Sequence, residues 1–181
     1  GRVWLVHTSP ETHSVLSPAL AYLVHDILAD DTARQPTLSY PSPLDLGRPS
    51  AAKVGRAEDG RQVWTVGYTP DRLAITWLGL PDETGLTLDA RSAAGLWNAV
   101  IQHAVRGLPI NGWQAPPGIS QVDVCDPSGL LPTPACPQIV TELFLSGNEP
   151  VEMDHLYRKI PINRETGRLA TVFTPPALVE E

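Results

Sequence analysis

Residues 47–70 read Gly47-Arg48-Pro49-Ser50-Ala51-Ala52-Lys53-Val54-Gly55-Arg56-Ala57-Glu58-Asp59-Gly60-Arg61-Gln62-Val63-Trp64-Thr65-Val66-Gly67-Tyr68-Thr69-Pro70. Two strands and the turn between them can be read here. Residues 50–56 form the first, Asp59-Gly60 is a hairpin signal, and 62–69 is rich in the Val, Trp, Thr and Tyr that suit a pleated surface. Pro70-Asp71 turns the chain into a third strand at 73–80. Connections this short force an antiparallel meander.

Outward from this stretch, both flanks are helical. Ser17-Pro18 is a good start, with Ser as N-cap and Pro in the first turn. Leu20, Leu23, Val24, Ile27 and Leu28 then recur at i, i+3, i+4, i+7 and i+8, which puts one apolar face against a neighbour. Asp30 and Asp31 close this helix, and residues 32–49 read as a long Pro/Ser loop. A second helix runs over 89–106, with Asp89 as N-cap, Gly107 as stop, and Ala93, Leu96, Trp97, Val100, Ile101, Ala104 and Val105 on its apolar side. Both helices are expected on one face of the sheet, with Trp64, Trp77, Trp97 and Trp113 packed between sheet and helices. Residues 3–8 read as a further short strand. The fold class is α+β, an antiparallel sheet with packed helices and a Pro-rich C-terminal extension.

Two domains follow from the change of character at Leu108: 1–108, and a loop-rich extension over 109–181. The extension has many prolines and little periodicity, yet Trp113, Ile119, Val122, Val124, Leu143, Phe144 and Leu145 anchor it as ordered structure. Within it, 168–173 is the one strand expected, and the acidic end is expected to fray.

The whole chain of 181 residues is 42% hydrophobic and 18% charged, with 19 Pro and 14 Gly. This is globular and too rich in apolar residues for wholesale disorder. A net charge of −7 speaks against nucleic acid as a partner, because phosphate binding needs clustered cations. No apolar run reaches the ~18 residues of a membrane span, and no signal peptide is seen at Gly1. Cys125 and Cys136 form neither a Cys-x-x-Cys motif nor a zinc set. Their spacing leaves two states open, a small-loop disulfide in an oxidising compartment or two buried thiols. His7, His13, His25, His103 and His155 are scattered, and those on helices lack a ligand partner at i+4, so no metal site is read.

Taken together, Ser50-Ala51-Ala52-Lys53-Val54-Gly55-Arg56 and Trp64-Thr65-Val66-Gly67-Tyr68-Thr69-Pro70 resemble the transpeptidase domain of bifunctional, class A penicillin-binding proteins. The match continues through Leu16-Ser17-Pro18-Ala19, Trp77-Leu78-Gly79, the helix with Trp97, Pro117-Gly118-Ile119, Ser128-Gly129-Leu130-Leu131-Pro132-Thr133 and Cys136-Pro137. It covers roughly residues 15–155 in consistent order. The resemblance implies the C-terminal part of that domain, a partial penicillin-binding-protein/β-lactamase-like fold. The implied parent is a bacterial, membrane-anchored, extracytoplasmic enzyme of the cell envelope, joining a peptidoglycan glycosyltransferase to a serine-type D-alanyl-D-alanine transpeptidase. Its implied partners are a peptidoglycan stem peptide and β-lactams, with no cofactor or metal. Membrane attachment would run only through an N-terminal anchor absent from this chain.

The family's third active-site motif, Lys-Thr-Gly-Thr, falls on Lys53, Val54, Gly55 and Arg56. In such a site the Lys supplies a positive field for a substrate carboxylate and assists proton transfer. The Gly lets a second backbone approach, and the hydroxyls grip the carboxylate. Lys53 is thus the candidate catalytic residue, and Gly55, Val54 and Arg56 are candidate substrate contacts at degenerate positions. Val54 keeps the shape of Thr without its hydroxyl, and Arg56 puts a fork where a small group is expected. The family's Ser-x-x-Lys nucleophile and its Ser-x-Asn lie upstream of this motif. Ser50-Ala51-Ala52-Lys53 imitates the first but sits in a strand, where i and i+3 face opposite sides. Ser146-Gly147-Asn148 imitates the second but reads as a turn. The chain alone is therefore expected to be inactive. A bare sheet surface is expected, covered by the missing upstream half or by self-association. The alternative is a degenerate, non-catalytic scaffold or binding module in cell-wall assembly.

Overall fold

The computed structural model describes residues 2, 12–81 and 85–180. The strand expected at 3–8, with His7, lies outside the described residues, as does Glu181. The chain divides into two compact units, 1–117 and 118–181, so residues 109–117 go with the first.

The first unit is built on the expected meander. Strands β1 (Ala51–Arg56), β2 (Gln62–Tyr68) and β3 (Leu73–Gly79) lie in the order β1-β2-β3, both pairs antiparallel. The register sets Lys53 opposite Val66 and Trp64 opposite Trp77. Helix α1 (Pro18–Ala29) starts as read, with the Ser17 hydroxyl accepting the Leu20 N–H at 3.2 Å. Helix α3 (Ala90–Ala104) is capped by Asp89, whose carboxylate accepts the Arg91 N–H at 2.8 Å.

The stretch after Asp30 corrects the loop reading. Residues Asp31–Leu38 form a short helix α2, because Asp30, which ends α1, also caps α2 by accepting the Thr32 N–H at 2.7 Å. Its interior Pro36 and polar composition disguise it, since only Leu38 is buried. The following loop is tied to α3: the Asn98 amide donates to the carbonyls of Pro43 and Asp45, each at 3.0 Å.

Alternation along the strands sorts the sheet into two unlike faces. The inner face, with Ala52, Val54, Val63, Thr65, Gly67, Ala74, Thr76 and Leu78, packs on α3 through Ala93, Trp97 and Ile101. Trp97 is fully buried and donates its indole N–H to the Ala74 carbonyl at 3.1 Å. The Thr76 hydroxyl donates to the Ala93 carbonyl at 3.1 Å. The outer face carries Trp64, Val66, Leu73, Ile75 and Trp77, all between 40% and 64% exposed.

Two expectations are corrected here. Helix α1 meets the sheet on the outer side, where its His25 contacts Tyr68, whereas α3 covers the inner side, so the helices do not share a face. The cause is the alternation itself: Gly67 lies under Trp97, so its neighbour Tyr68 must point the other way. Likewise Trp64 and Trp77 are not packed between sheet and helix. They meet each other at a tilt on the outer face, with ring centroids 6.0 Å apart. Nor is the apolar stripe of α1 sealed: Leu20, Val24 and Ile27 are exposed. On α3, Leu96 and Val100 also stay half-exposed.

The second unit holds more regular structure than its prolines suggest. Strands β4 (Ile119–Cys125) and β5 (Ile139–Leu145) pair antiparallel over their full length, where only anchored loop was expected. Cys125 and Cys136 are joined by a disulfide that ties the long β4–β5 connection to its strand. Ser146-Gly147 is a turn, with Gly147 at φ +92°. Beside it the Ser120 hydroxyl donates to Glu149, which holds that carboxyl below its usual range. Asp154 is buried, which alone would raise its carboxyl. Hydrogen bonds from the Ser128 hydroxyl and the amides of Tyr157 and Leu156 outweigh burial and lower it. A small sheet of β6 (Ile162–Asn163), β7 (Arg168–Leu169) and β8 (Val179–Glu180) follows, in the order β7-β6-β8. The strand expected at 168–173 is therefore shorter, and the acidic end is paired up to Glu180 rather than frayed.

Candidate functional site

The site centres on β1, an edge strand of its sheet. The Ala57 N–H bonds the Gln62 carbonyl at 2.9 Å, which fixes the ladder's phase. Residues 51, 53 and 55 therefore pair with β2. The backbone N–H and C=O groups of Ala52, Val54 and Arg56 point to the open edge. The Lys53 ammonium turns back onto that edge and donates to the Val54 carbonyl at 2.8 Å.

The four positions of the degenerate motif divide between the faces. Lys53 and Gly55 lie on the outer face, and both are exposed. A Cβ added at Gly55 meets nothing within 4 Å, so a second backbone has room to lie against it. Val54 faces inward, is 8% exposed and belongs to the hydrophobic core. Its side chain is not brought together with Lys53, and only its backbone N–H and C=O reach the edge. Across the ladder Val54 stands opposite Thr65. The Thr65 hydroxyl is fully buried and has no hydrogen-bond partner. Val54, a methyl where the resembled motif carries a hydroxyl, thus stands opposite an orphaned hydroxyl on the facing strand. Arg56 also lies on the inner side, where its guanidinium folds over Gly60 in the hairpin turn, away from Lys53.

The Ser-x-x-Lys lookalike is extended, since 51–56 is strand, and Ser50 does not share a helix face with Lys53. Ser146-Gly147-Asn148 sits in the second unit as a turn.

Sequence reasoning missed an aromatic corner at the start of β1. Ala51 pairs with Tyr68, whose hydroxyl lies 3.4 Å from His25 Nδ1. The Trp113 ring lies tilted against the His25 ring, with centroids 4.0 Å apart, and meets Tyr68 edge-on at 5.8 Å. Burial pushes the His25 imidazole below its ordinary value, with Asp26 working against the shift, and pushes the Tyr68 phenol up. With Tyr22 these rings line a groove of about 340 Å³. Because 43 residues separate His25 from Tyr68, no local pattern reveals the corner.

Comparison with known proteins gives this geometry a setting. A family model described as penicillin-binding protein 1A, C-terminal domain, matches residues 115–159. The chain is 31% identical to penicillin-binding protein 1A of Clostridium novyi, over 97% of this chain and 21% of that protein. It is 30% identical to the protein of the same name from Clostridium botulinum, over 97% of this chain and 22% of the relative. The chain thus spans about a fifth of the length of the curated relatives it matches. The crystal structure of penicillin-binding protein 1A from Haemophilus influenzae shares the fold at a TM-score of 0.63 and 22% identity, covering 77% of this chain and 22% of that one. Over nearly its whole length the chain is similar to a C-terminal portion of penicillin-binding protein 1A.

Proposed function

We propose that this chain supplies the substrate-binding edge of a serine-type transpeptidase that cross-links peptidoglycan in the cell envelope, outside the cytoplasmic membrane. The carrying observation is β1, an edge strand with three residues' backbone groups directed outward and Lys53 and Gly55 on the open face. A stem peptide adds to such an edge through main-chain hydrogen bonds. Gly55 permits its close approach, and Lys53 attracts its carboxylate once the ammonium leaves the Val54 carbonyl. In the complete parent, an upstream serine forms the acyl-enzyme and an amine of a neighbouring stem resolves it. The upstream half would cover the exposed outer face of the sheet, and self-association is the other way to bury it. Membrane anchoring and glycosyltransfer belong to that parent, and no described helix is long and apolar enough to cross a membrane.

A second reading, a non-catalytic scaffold in wall assembly, is favoured by Val54 and Arg56, which remove both hydroxyls of the motif. β-Lactam labelling separates the two. The chain alone should gain no mass with excess penicillin. With the upstream half supplied in trans, the transpeptidase reading expects an adduct on an upstream serine, and no adduct there would favour the scaffold. A stoichiometric adduct at Ser50 in the chain alone would refute the site assignment.

A further inference from the structure

Asn111-Gly112 is the one asparagine–glycine pair in the chain. Such a pair can cyclise through attack of the glycine amide nitrogen on the asparagine side-chain carbonyl carbon. Glycine, lacking a Cβ, leaves the backbone free to reach the geometry required. The local structure decides whether the attack is open. Residues 108–116 lie outside any helix or strand, Asn111 and Gly112 are both exposed, and the Gly112 N–H has no hydrogen bond among the described residues. A Cβ added at Gly112 meets only Pro49 Cγ, at 3.9 Å, so nothing crowds the ring closure. The comparable pair Asp59-Gly60 is locked. Gly60 is buried, its N–H bonds the Ala57 carbonyl at 2.9 Å, and the Asp59 carboxylate accepts the Arg61 N–H at 2.9 Å.

Asn111 also holds a position in the fold. Its amide donates to both oxygens of the Asp71 carboxylate, at 3.3 and 3.5 Å, and so ties its segment to the turn between β2 and β3. Arg72 turns its guanidinium onto the Asp71 carbonyl at 2.8 Å and forms no ion pair with that carboxylate among the described residues. Two residues beyond Asn111, the Trp113 ring lies against His25, through which α1 reaches Tyr68 of β2. Helix α1 has no fully buried residue of its own, so its hold on the sheet is sensitive to this corner.

We propose that Asn111 is a site of spontaneous deamidation, and that the product loosens α1 at the aromatic corner. The Gly112 nitrogen displaces the Asn111 amide nitrogen as ammonia and closes a succinimide. Water then opens the ring at either carbonyl, leaving aspartate or, with the backbone lengthened by a methylene, isoaspartate. In both products the donor to Asp71 is gone and a second carboxylate faces the first, so an attraction becomes a repulsion. The test is to hold the 181-residue chain at mildly alkaline pH and physiological temperature, then map deamidation and isoaspartate by peptide mass spectrometry. Modification should concentrate at Asn111 and spare Asp59, Asn98, Asn148 and Asn163. G112A, whose added methyl has room in the fold, should slow it several-fold. Hydrogen exchange reads the consequence. In the aged chain and in N111D, the amides of α1 should exchange roughly two- to fivefold faster, the scale of an exposed polar contact. Helix α3, packed on the inner face, should exchange as before. No modification at Asn111 overturns the proposal, as does a rate that G112A leaves unaltered. Exchange of α1 that is the same in the parent chain, the aged chain and N111D overturns the coupling to the corner.

Discussion

Replacing Gly67 by Ala tests the fold at its tightest point. A Cβ there stands 2.6 Å from the Ala52 Cβ and 2.8 Å from Trp97 Cε2, with Cζ2 nearer still. Neither neighbour is a flexible chain end: Ala52 is strand and Trp97 is fully buried. Overpacking of a core costs about 1–3 kcal/mol. If Trp97 shifts, its hydrogen bond to the Ala74 carbonyl is lost as well, about 0.5–1.5 kcal/mol net. Gly67→Ala should therefore destabilise the first unit by about 2–4 kcal/mol. Two companions calibrate it. Gly79→Ala also meets a Trp, with Trp77 Cη2 at 2.8 Å, but that ring is 52% exposed and restrained by surface contacts with Gln62 and Trp64 rather than by the core, so it should cost under about 1 kcal/mol. Gly55→Ala meets nothing within 4 Å and should stay within about 0.5 kcal/mol. Urea unfolding followed by tryptophan fluorescence reads this unit alone, because all five Trp lie in residues 1–117. If Gly67→Ala unfolds at the same urea concentration as Gly79→Ala, the packing of α3 on the inner face is wrong.

Val54→Thr should stabilise the first unit by about 0.5–1 kcal/mol, by giving the orphaned Thr65 hydroxyl a partner across the ladder. Thr65→Val should do so by another route, and a loss of stability in both urea titrations would refute the orphan assignment. Replacing Cys125 and Cys136 by Ser should cost the second unit about 3 kcal/mol through the reopened loop, read as a drop in its melting temperature by calorimetry. Asp154 has a folded value below its unfolded one, so its contribution is complete above the ordinary carboxylate range and is lost as pH falls through the folded value. Asp154→Asn should therefore flatten the acid limb of second-unit stability below the ordinary carboxylate range, and an unchanged limb would exclude that carboxylate as its source.

The meander and the caps of α1 and α3 were legible because local rules fix them. An Asp-Gly turn, β-branched runs and Ser or Asp before an apolar helix act over a few residues, whatever surrounds them. The family resemblance was legible for a related reason, since its motifs lie in order along 15–155. Helix α2 escaped because Asp30 serves two helices at once and Pro36 argues against the second. Strands β4 and β5 escaped because each gains its stability from the other, while the surrounding prolines dominate the local pattern. At the candidate site, sequence alone determined which residues occupy the motif, Lys53, Val54, Gly55 and Arg56. Tertiary structure decided which can act together. Strand alternation sends Lys53 and Gly55 outward and Val54 into the core, and α3 selects the inner face because Gly67 admits Trp97 there. Contacts such as His25 on Tyr68, or Val54 opposite Thr65, join residues far apart in the chain, and only the packed sheet brings them within reach.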